Sequence, residues 1–321
     1  MRAMRGLHRI TPFQQVRSFH QTRPAPFAAE VIEVTTSFVQ GVHSISGLPW
    51  ALSLPLTAFI VRMGVALPLQ IWTKVQARKD SDLAPLLMAL RHHYQRTHQF
   101  SSFNNEQTAA GAKRMVNQKL VEHYRALRRR WGVFRFWKPV PFLQMPIWIA
   151  VMESIRSMSG KDQGFVPWLL SKINPASAAE YNSHLTVEPS LATEGALWFP
   201  DLLAGDPTGA LPVLLTASIL LNINRGWKAP TTKSISELPR LEMAKQLSLR
   251  GVRLFIQLLA LNVGYSSYIF EMPTALMIYW ITSTNIATLQ TLLLSKYMFP
   301  TPPLKPWKRI HIGYHQPGTK A

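Results

Sequence analysis

The sequence predicts an all-α membrane protein with five transmembrane helices and a helical hairpin outside the bilayer. Three observations carry this. Of the 321 residues, 47% are hydrophobic, and they gather into runs long enough to cross a bilayer. The segments between the runs alternate in charge: fourteen Lys and Arg against four acids over 73–138, then two against six over 159–208. Cysteine is absent, which excludes disulfides, thiolate metal sites and cysteine nucleophiles together. A net charge of +19 would also suit a nucleic-acid binder, but such a protein has no need of several long apolar segments.

Residues 1–20 read as a mitochondrial presequence. Arg2, Arg5, Arg9 and Arg17 precede any acid, Leu7, Ile10, Phe13 and Phe19 can share one face, and the apolar core of about 7 to 15 residues that a secretory signal needs is missing. Residues 24–46 form an outward-facing segment, with an amphipathic tract from Val31 to Val42 that could lie against a membrane face. The first span, 47–72, carries Arg62 near its middle, roughly 16 Å of helix from Trp50 and from Trp72. A central arginine costs on the order of 3 kcal/mol. Either a carboxylate on a neighbouring helix neutralises it, or it lines a wet cavity. Pro55, Gly64 and Pro68 share the span and are tolerable where neighbouring helices satisfy the freed backbone groups.

The basic segment 73–138 predicts two antiparallel helices. Leu83, Leu86, Leu87, Leu90 and Tyr94 make one apolar stripe, Val116, Leu120, Tyr124 and Leu127 the other, and Ser101–Asn105 the turn. His92, His93, His98 and His123 have no acid or cysteine at ligand spacing and read as solvated positions, not metal ligands. A second span, 139–158, is interrupted by Gln144 and Pro146. The acidic loop 159–208 ends in Trp198 and Phe199, which suit a membrane interface. The third span, 210–225, is short, and Ser218 and Asn222 share a face there, for interhelical hydrogen bonding or for a wet groove. A basic stretch leads to the fourth span, 251–268. A tight turn then gives the fifth, 274–294, and a basic tail, 297–321. Basic segments after the first, third and fifth spans obey the positive-inside rule. The N-terminal segment and the acidic loop are therefore expected in the intermembrane space, and the hairpin and tail in the matrix.

No nucleotide-binding, metalloprotease or serine-hydrolase motif is present, so no catalytic residue or enzyme activity is assigned. The acids nearest bilayer depth, Glu153 and Glu271, lie towards the outer ends of their helices, far from Arg62, and no acidic relay of the kind a proton-coupled carrier uses is seen.

Taken in order, the helix with a single arginine, the basic hairpin, FLQMPIW, WFPDL before a short span, and MPTALMIYWITSTN resemble the YidC/Oxa/Alb membrane insertases. The resemblance covers roughly Gly41 to Lys296. It implies five core helices around a hydrophilic groove, open to lipid and to the matrix side and closed to the other. It also implies Arg62, Gln144, Asn222, Trp280 and Asn285 as groove residues, with no cofactor, metal or nucleic acid. The presequence, the short tail and the wording GVHSISGLPW and ALWFPDL look like the oxidase-assembly branch of that family. That branch implies export of the C-terminal tail of cytochrome c oxidase subunit two across the mitochondrial inner membrane, with membrane lipid and inner-membrane assembly factors as partners and no stable ribosome binding. A general organellar insertase, of the inner membrane or the thylakoid, a non-translocating scaffold for oxidase assembly and a small-solute channel stay open as alternatives.

Overall fold

A computed structural model describes residues 27–99, 106–161, 187–226 and 240–300, with 164, 168, 169 and 172 between them. The presequence reading, the Ser101–Asn105 turn, most of the acidic loop and the tail beyond residue 300 lie outside the described residues. Those described are helical, apart from short connections and one isolated bridge between Ala196 and Phe199.

Helix α1 (Phe27–Ser46) leads through Gly47 into α2 (Trp50–Val61). A π-helical turn, Arg62–Ala66, joins α2 to α3 (Leu67–Gln99) without a break. Pro68 explains the π turn. Its missing N–H and its ring act against the carbonyl four residues back, at Gly64, and the wider register relieves the crowding. Leu67 N–H accordingly donates to the Arg62 carbonyl, five residues back. The first span and the first arm of the hairpin are thus one continuous helix, and the boundary drawn at residue 72 marks a change of surface, not of structure. The second arm, α4 (Glu106–Arg130), pairs back onto α3, with Arg128 Nε donating to Asp80 Oδ1 at 2.9 Å. The chain re-enters through a 3₁₀ turn (Val140–Leu143) into α5 (Gln144–Met158). Then follow α6 (Ala210–Gly226), α7 (Arg240–Ile269) and α8 (Thr274–Leu293). Helix α7 begins well before the predicted span, because Arg240 to Arg250 continues the helix beyond its apolar part.

Helices therefore stand at all five predicted positions. Two of them, Trp50–Tyr94 and Gln246–Ile269, contain stretches long and apolar enough to cross a membrane, and α6 is a shorter apolar helix. The 31–42 tract is placed differently from expectation: α1 packs on α5 and α2, with Ile32 and Val39 buried and Thr36 Oγ1 2.7 Å from Ser154 Oγ. The other face of α1 leaves Val34, Phe38 and Ile45 exposed.

Helix α8 is central and touches α2, α5 and α6. Its buried positions include Ser283, Thr284, Thr288 and Gln290, while Leu254, Phe255, Leu258, Leu261 and Tyr265 on α7 face outward. Polar residues inside and large apolar residues outside are the arrangement that a lipid solvent favours, because lipid tails give apolar residues no reason to turn inward. Helices α6 and α7 approach closely at Gly264, where a Cβ would collide with Thr216 Oγ1.

The end of the bundle where α2, α6 and α8 begin is covered by residues 187–206. Leu191, Phe199 and Leu202 are buried against the helices, and the N–H groups of Thr274 and Ala275 donate to the carbonyls of Ala204 and Leu202. Two acids of this loop sit on positive helix ends. Glu194 accepts from Trp50 N at 3.1 Å, and Asp206 accepts from Leu211 N at 2.7 Å and from Thr208 N at 3.0 Å. Burial by itself raises the Asp206 carboxyl, but the bonds from Leu211, Thr208 and Trp198 outweigh it and hold its pKa below the ordinary value.

Replacing Gly264 with Ala is expected to destabilise the purified protein by about 1 to 3 kcal/mol. Adding Thr216→Ala should recover most of the loss, as followed by thermal unfolding in detergent; a Gly264→Ala protein as stable as wild type would contradict the close crossing. Because Asp206 has a folded pKa below its unfolded one, its stabilisation is complete above the ordinary carboxylate value of about 4 and disappears as the pH falls through the folded value. Asp206→Ala should lower stability at neutral pH by about 1 kcal/mol and flatten this part of the acid limb; parallel curves would show that the carboxylate does not cap α6.

Candidate functional site

Each helix that starts at the capped end changes character about half-way along. In α2, buried Trp50, Leu54 and Ala58 are followed by Arg62. In α6, Leu211 and Leu215 give way to Ser218 and Asn222, and in α8, Ala275 to Tyr279 give way to Ser283, Thr284, Thr288 and Gln290. The capped half therefore holds the apolar cluster, joined by Val151, Ile155 and Met158 of α5, with Ser53, Thr57 and Ser154 also buried in it, whereas beyond Arg62 the buried side chains of α6 and α8 are mainly polar.

Arg62 sits at this boundary, half-buried, and α8 holds it at two points. Its Nε donates to Ser283 Oγ at 2.8 Å, and its carbonyl, already bonded to Leu67 N–H, accepts from Gln290 Nε2 at 3.0 Å. The two contacts follow from helix geometry. Side chains tilt towards a helix N-terminus and carbonyls point towards the C-terminus, so the side chain and the carbonyl of Arg62 meet residues seven apart, roughly 10 Å in rise, along α8, which runs parallel to α2. Among the described residues the ion pairs are His43–Glu194, Arg128–Asp80 and Arg156–Glu153, so no carboxylate lies within 4 Å of Arg62. Its two Nη atoms make no hydrogen bond to a described residue, which leaves the outer edge of the guanidinium open to another acceptor.

The other predicted residues are placed by the same helix, with one exception. Asn222 Nδ2 donates to Thr288 Oγ1 at 2.8 Å, and Asn285 Nδ2 donates to Ser218 Oγ at 3.1 Å. Of the two readings of Ser218 and Asn222, interhelical hydrogen bonding is the one observed, and it ties α6 to α8. Trp280 meets Trp148 of α5 edge to face, with ring centroids 5.6 Å apart. Gln144, at the start of α5, is not brought into contact with Arg62; its Oε1 is buried with no partner among the described residues, as are Trp148 Nε1, Tyr279 Oη and Gln290 Oε1. Beside the tryptophan pair, a cavity of about 810 Å³ opens between α5 and α8, lined by Met145, Met152, Leu276 and Trp280, with Glu153 and Arg156 at its edge. Glu153 and Arg156 form a buried pair, Nε to Oε1 at 2.8 Å, so that this acid, at bilayer depth in the sequence, is already engaged by a cation of its own helix.

Sequence reasoning missed Ser283, Gln290, Thr288 and Trp148. The signal was present for α8: Thr284 and Thr288 are four apart, and Ser283 and Gln290 seven apart, so each pair recurs on one face of a helix. Trp148 closes the FLQMPIW motif, but its partner Trp280 lies on another helix, so the pairing has no local signal.

The chain is also similar in sequence to known proteins. Residues 41–301 match the family described as 60Kd inner membrane protein. The chain is 25% identical over 278 residues to the mitochondrial cytochrome c oxidase assembly protein COX18 of Homo sapiens, covering 83% of this chain and 71% of that one. It is 23% identical to the COX18 protein of Schizosaccharomyces pombe (80% of this chain, 97% of the relative). It is also 23% identical to the mitochondrial inner membrane protein OXA1 of Saccharomyces cerevisiae (82% and 51%).

A double-mutant cycle on Asn222→Ala and Thr288→Ala, read by thermal unfolding, should give a coupling of about 0.6 to 2 kcal/mol. Additive effects would show that Asn222 is not engaged by α8.

Proposed function

Because the chain belongs to the 60Kd inner membrane protein family, the YidC/Oxa/Alb insertases, we propose that it is a mitochondrial inner-membrane insertase acting in oxidase assembly, whose cargo is the C-terminal tail of cytochrome c oxidase subunit two. The observation that carries the reading is the change from apolar to polar interior at Arg62, with loop 187–206 over the apolar end. In this reading the apolar cluster and the loop seal the capped end, although Ser53, Thr57 and Ser154 are buried within it, and the hydroxyls and amides beyond Arg62 take water from the other side. The N-terminal segment and the loop face the intermembrane space, the hairpin and tail the matrix, and all five helices cross.

In this mechanism the polar half shortens the path over which a polar substrate segment must cross hydrocarbon. Arg62, fixed by Ser283 and Gln290, presents its open Nη edge to acidic or carbonyl groups in transit. Gln144, Trp280, Asn222 and Asn285 complete the wall. The buried polar atoms without protein partners are ones that water or a passing peptide would satisfy, and the cavity beside Trp148 and Trp280 has room for the apolar side chains of the cargo. The driving force is burial of the cargo's own apolar helices in lipid, about 25 cal/mol per Å², assisted by the membrane potential acting on acidic residues moving outward. No nucleotide is needed.

Complementation with Arg62→Ala should reduce export of the subunit-two tail at least about tenfold, which corresponds to 1.4 kcal/mol, and Arg62→Lys should restore much of it, since charge matters here more than the guanidinium fork. Full export by the alanine protein would refute the role of the charge and favour a scaffold that assembles without translocating.

A further inference from the structure

The base of the hairpin holds a second concentration of arginine, on the other side of the molecule from the capped end. Helix α4 closes in a Schellman turn: Val133 N–H donates to the Arg128 carbonyl at 2.9 Å, Gly132 N–H to the Arg129 carbonyl at 3.2 Å, and Gly132 takes the left-handed conformation at φ 62°. The turn reverses the chain so that Arg135, five residues past the helix, comes back beside Arg125 and Arg129. The three arginines, with Tyr124, Arg128 and Val133, line a recess of about 190 Å³. Its wall is mostly apolar, and Arg125, Arg129 and Arg135 are exposed, with Arg135 lying over the Phe136 ring at 5.3 Å. Among the described residues only Arg128 of the four is ion-paired, with Asp80, and it also lies over the Tyr124 ring. The dipole of α4 accounts for cations in its last turn, Arg128 to Arg130. It does not account for Arg125, a turn earlier, or for Arg135, beyond the helix.

The recess is anchored at the level where the first apolar segment ends. Phe134 N–H donates to the buried Gln76 Oε1 at 3.0 Å, and the Phe134 ring meets Trp72 edge to face at 5.6 Å and Phe136 at 6.3 Å. Trp72, Trp131, Phe134 and Phe136 are all exposed by more than a third. Exposed aromatic rings at the boundary between an apolar helix and a cationic surface are what a headgroup layer receives.

We propose that the exposed arginines around this recess bind the phosphate of an anionic phospholipid of the hairpin-side leaflet, with the apolar wall of the recess and the aromatic collar lying in the headgroup and upper acyl layer. The three arginines without carboxylate partners supply the charge complementarity, and guanidinium forks match phosphate oxygens. The site would hold the hairpin at a fixed depth beside the mouth of the polar interior. The inference rests on the reading that the bundle is embedded in a membrane.

The test uses the full chain. Carbonate extraction first scores membrane integration; extraction of the wild-type protein would defeat the membrane reading and this inference together. Integrated protein is then purified in neutral detergent and titrated with dioleoyl phosphatidylglycerol or dioleoyl phosphatidylcholine, bound lipid being counted by native mass spectrometry. The expected result is a preference of about tenfold or more for phosphatidylglycerol, lost in Arg125→Gln/Arg129→Gln/Arg135→Gln and kept within twofold in the charge-matched control Arg91→Gln/Arg114→Gln/Lys119→Gln. Equal loss in the control, equal binding of both lipids, or unchanged preference in the triple variant would overturn the site. Displacement by millimolar inorganic phosphate or by a short single-stranded RNA would overturn the lipid assignment in favour of a free anion or a nucleic acid.

Discussion

The hold that α8 takes on Arg62 organises the bundle. A cation midway along an apolar helix has to be hydrated, paired or neutralised, and here the nearest groups are a serine hydroxyl and the amide of Gln290 on the helix's own carbonyl. Neither cancels the charge. Several other features follow from satisfying this one residue. The π turn frees the Arg62 carbonyl from the four-residue register that Pro68 interrupts and lets it accept two donors. Helix α8 carries hydroxyl and amide residues on its inward face below Tyr279, and α6 meets that face with Ser218 and Asn222. The apolar residues these positions displace are found on the outside, where α7 shows them most plainly.

Charge is arranged with the same economy at the covered end. The acidic loop was first a topological signal, an excess of Asp and Glu on one side. Two of those acids have a local task, since Glu194 and Asp206 receive the N–H groups that begin α2 and α6. Where α5 arrives with its negative end, Arg156 stands in the last turn and pairs with Glu153. Helix dipoles thus select acids where helices begin and a cation where one ends; the acids agree in sign with the positive-inside distribution at long range, while Arg156, a cation at the covered end, is neutralised by Glu153.

Much of this was legible in the sequence, for identifiable reasons. Long apolar runs separated by Pro, Gly and charged segments placed five helices, because helix formation and apolar clustering are local properties. Arg62 was legible because a single charge in such a run is costly wherever it is found. Glu153 and Glu271 were legible as lying towards the outer ends of their helices, and among the described residues no carboxylate lies within 4 Å of Arg62. What could not be read is which helix face meets which. Resemblance assigns Asn222 and Asn285 to a groove; that both amides also bridge α6 and α8 depends on the rotation of two helices whose bonded residues lie 66 and 67 positions apart in the chain. The amphipathic 31–42 tract had a lipid surface and a protein surface as equally good partners, and packing on α5 decided the matter. The uninterrupted passage of α2 into α3 was hidden because hydropathy changes at Trp72 while backbone geometry does not.

The central claim is that the position of Arg62 is wet and reachable from the hairpin side alone. The chain has no cysteine, so a single thiol introduced by Arg62→Cys reports on that position without background. The account predicts that a membrane-impermeant maleimide labels it in inverted inner-membrane vesicles, where the hairpin side is exposed, and leaves it unlabelled in intact mitoplasts. Labelling from the mitoplast exterior, or from neither side after integration is confirmed, would contradict it.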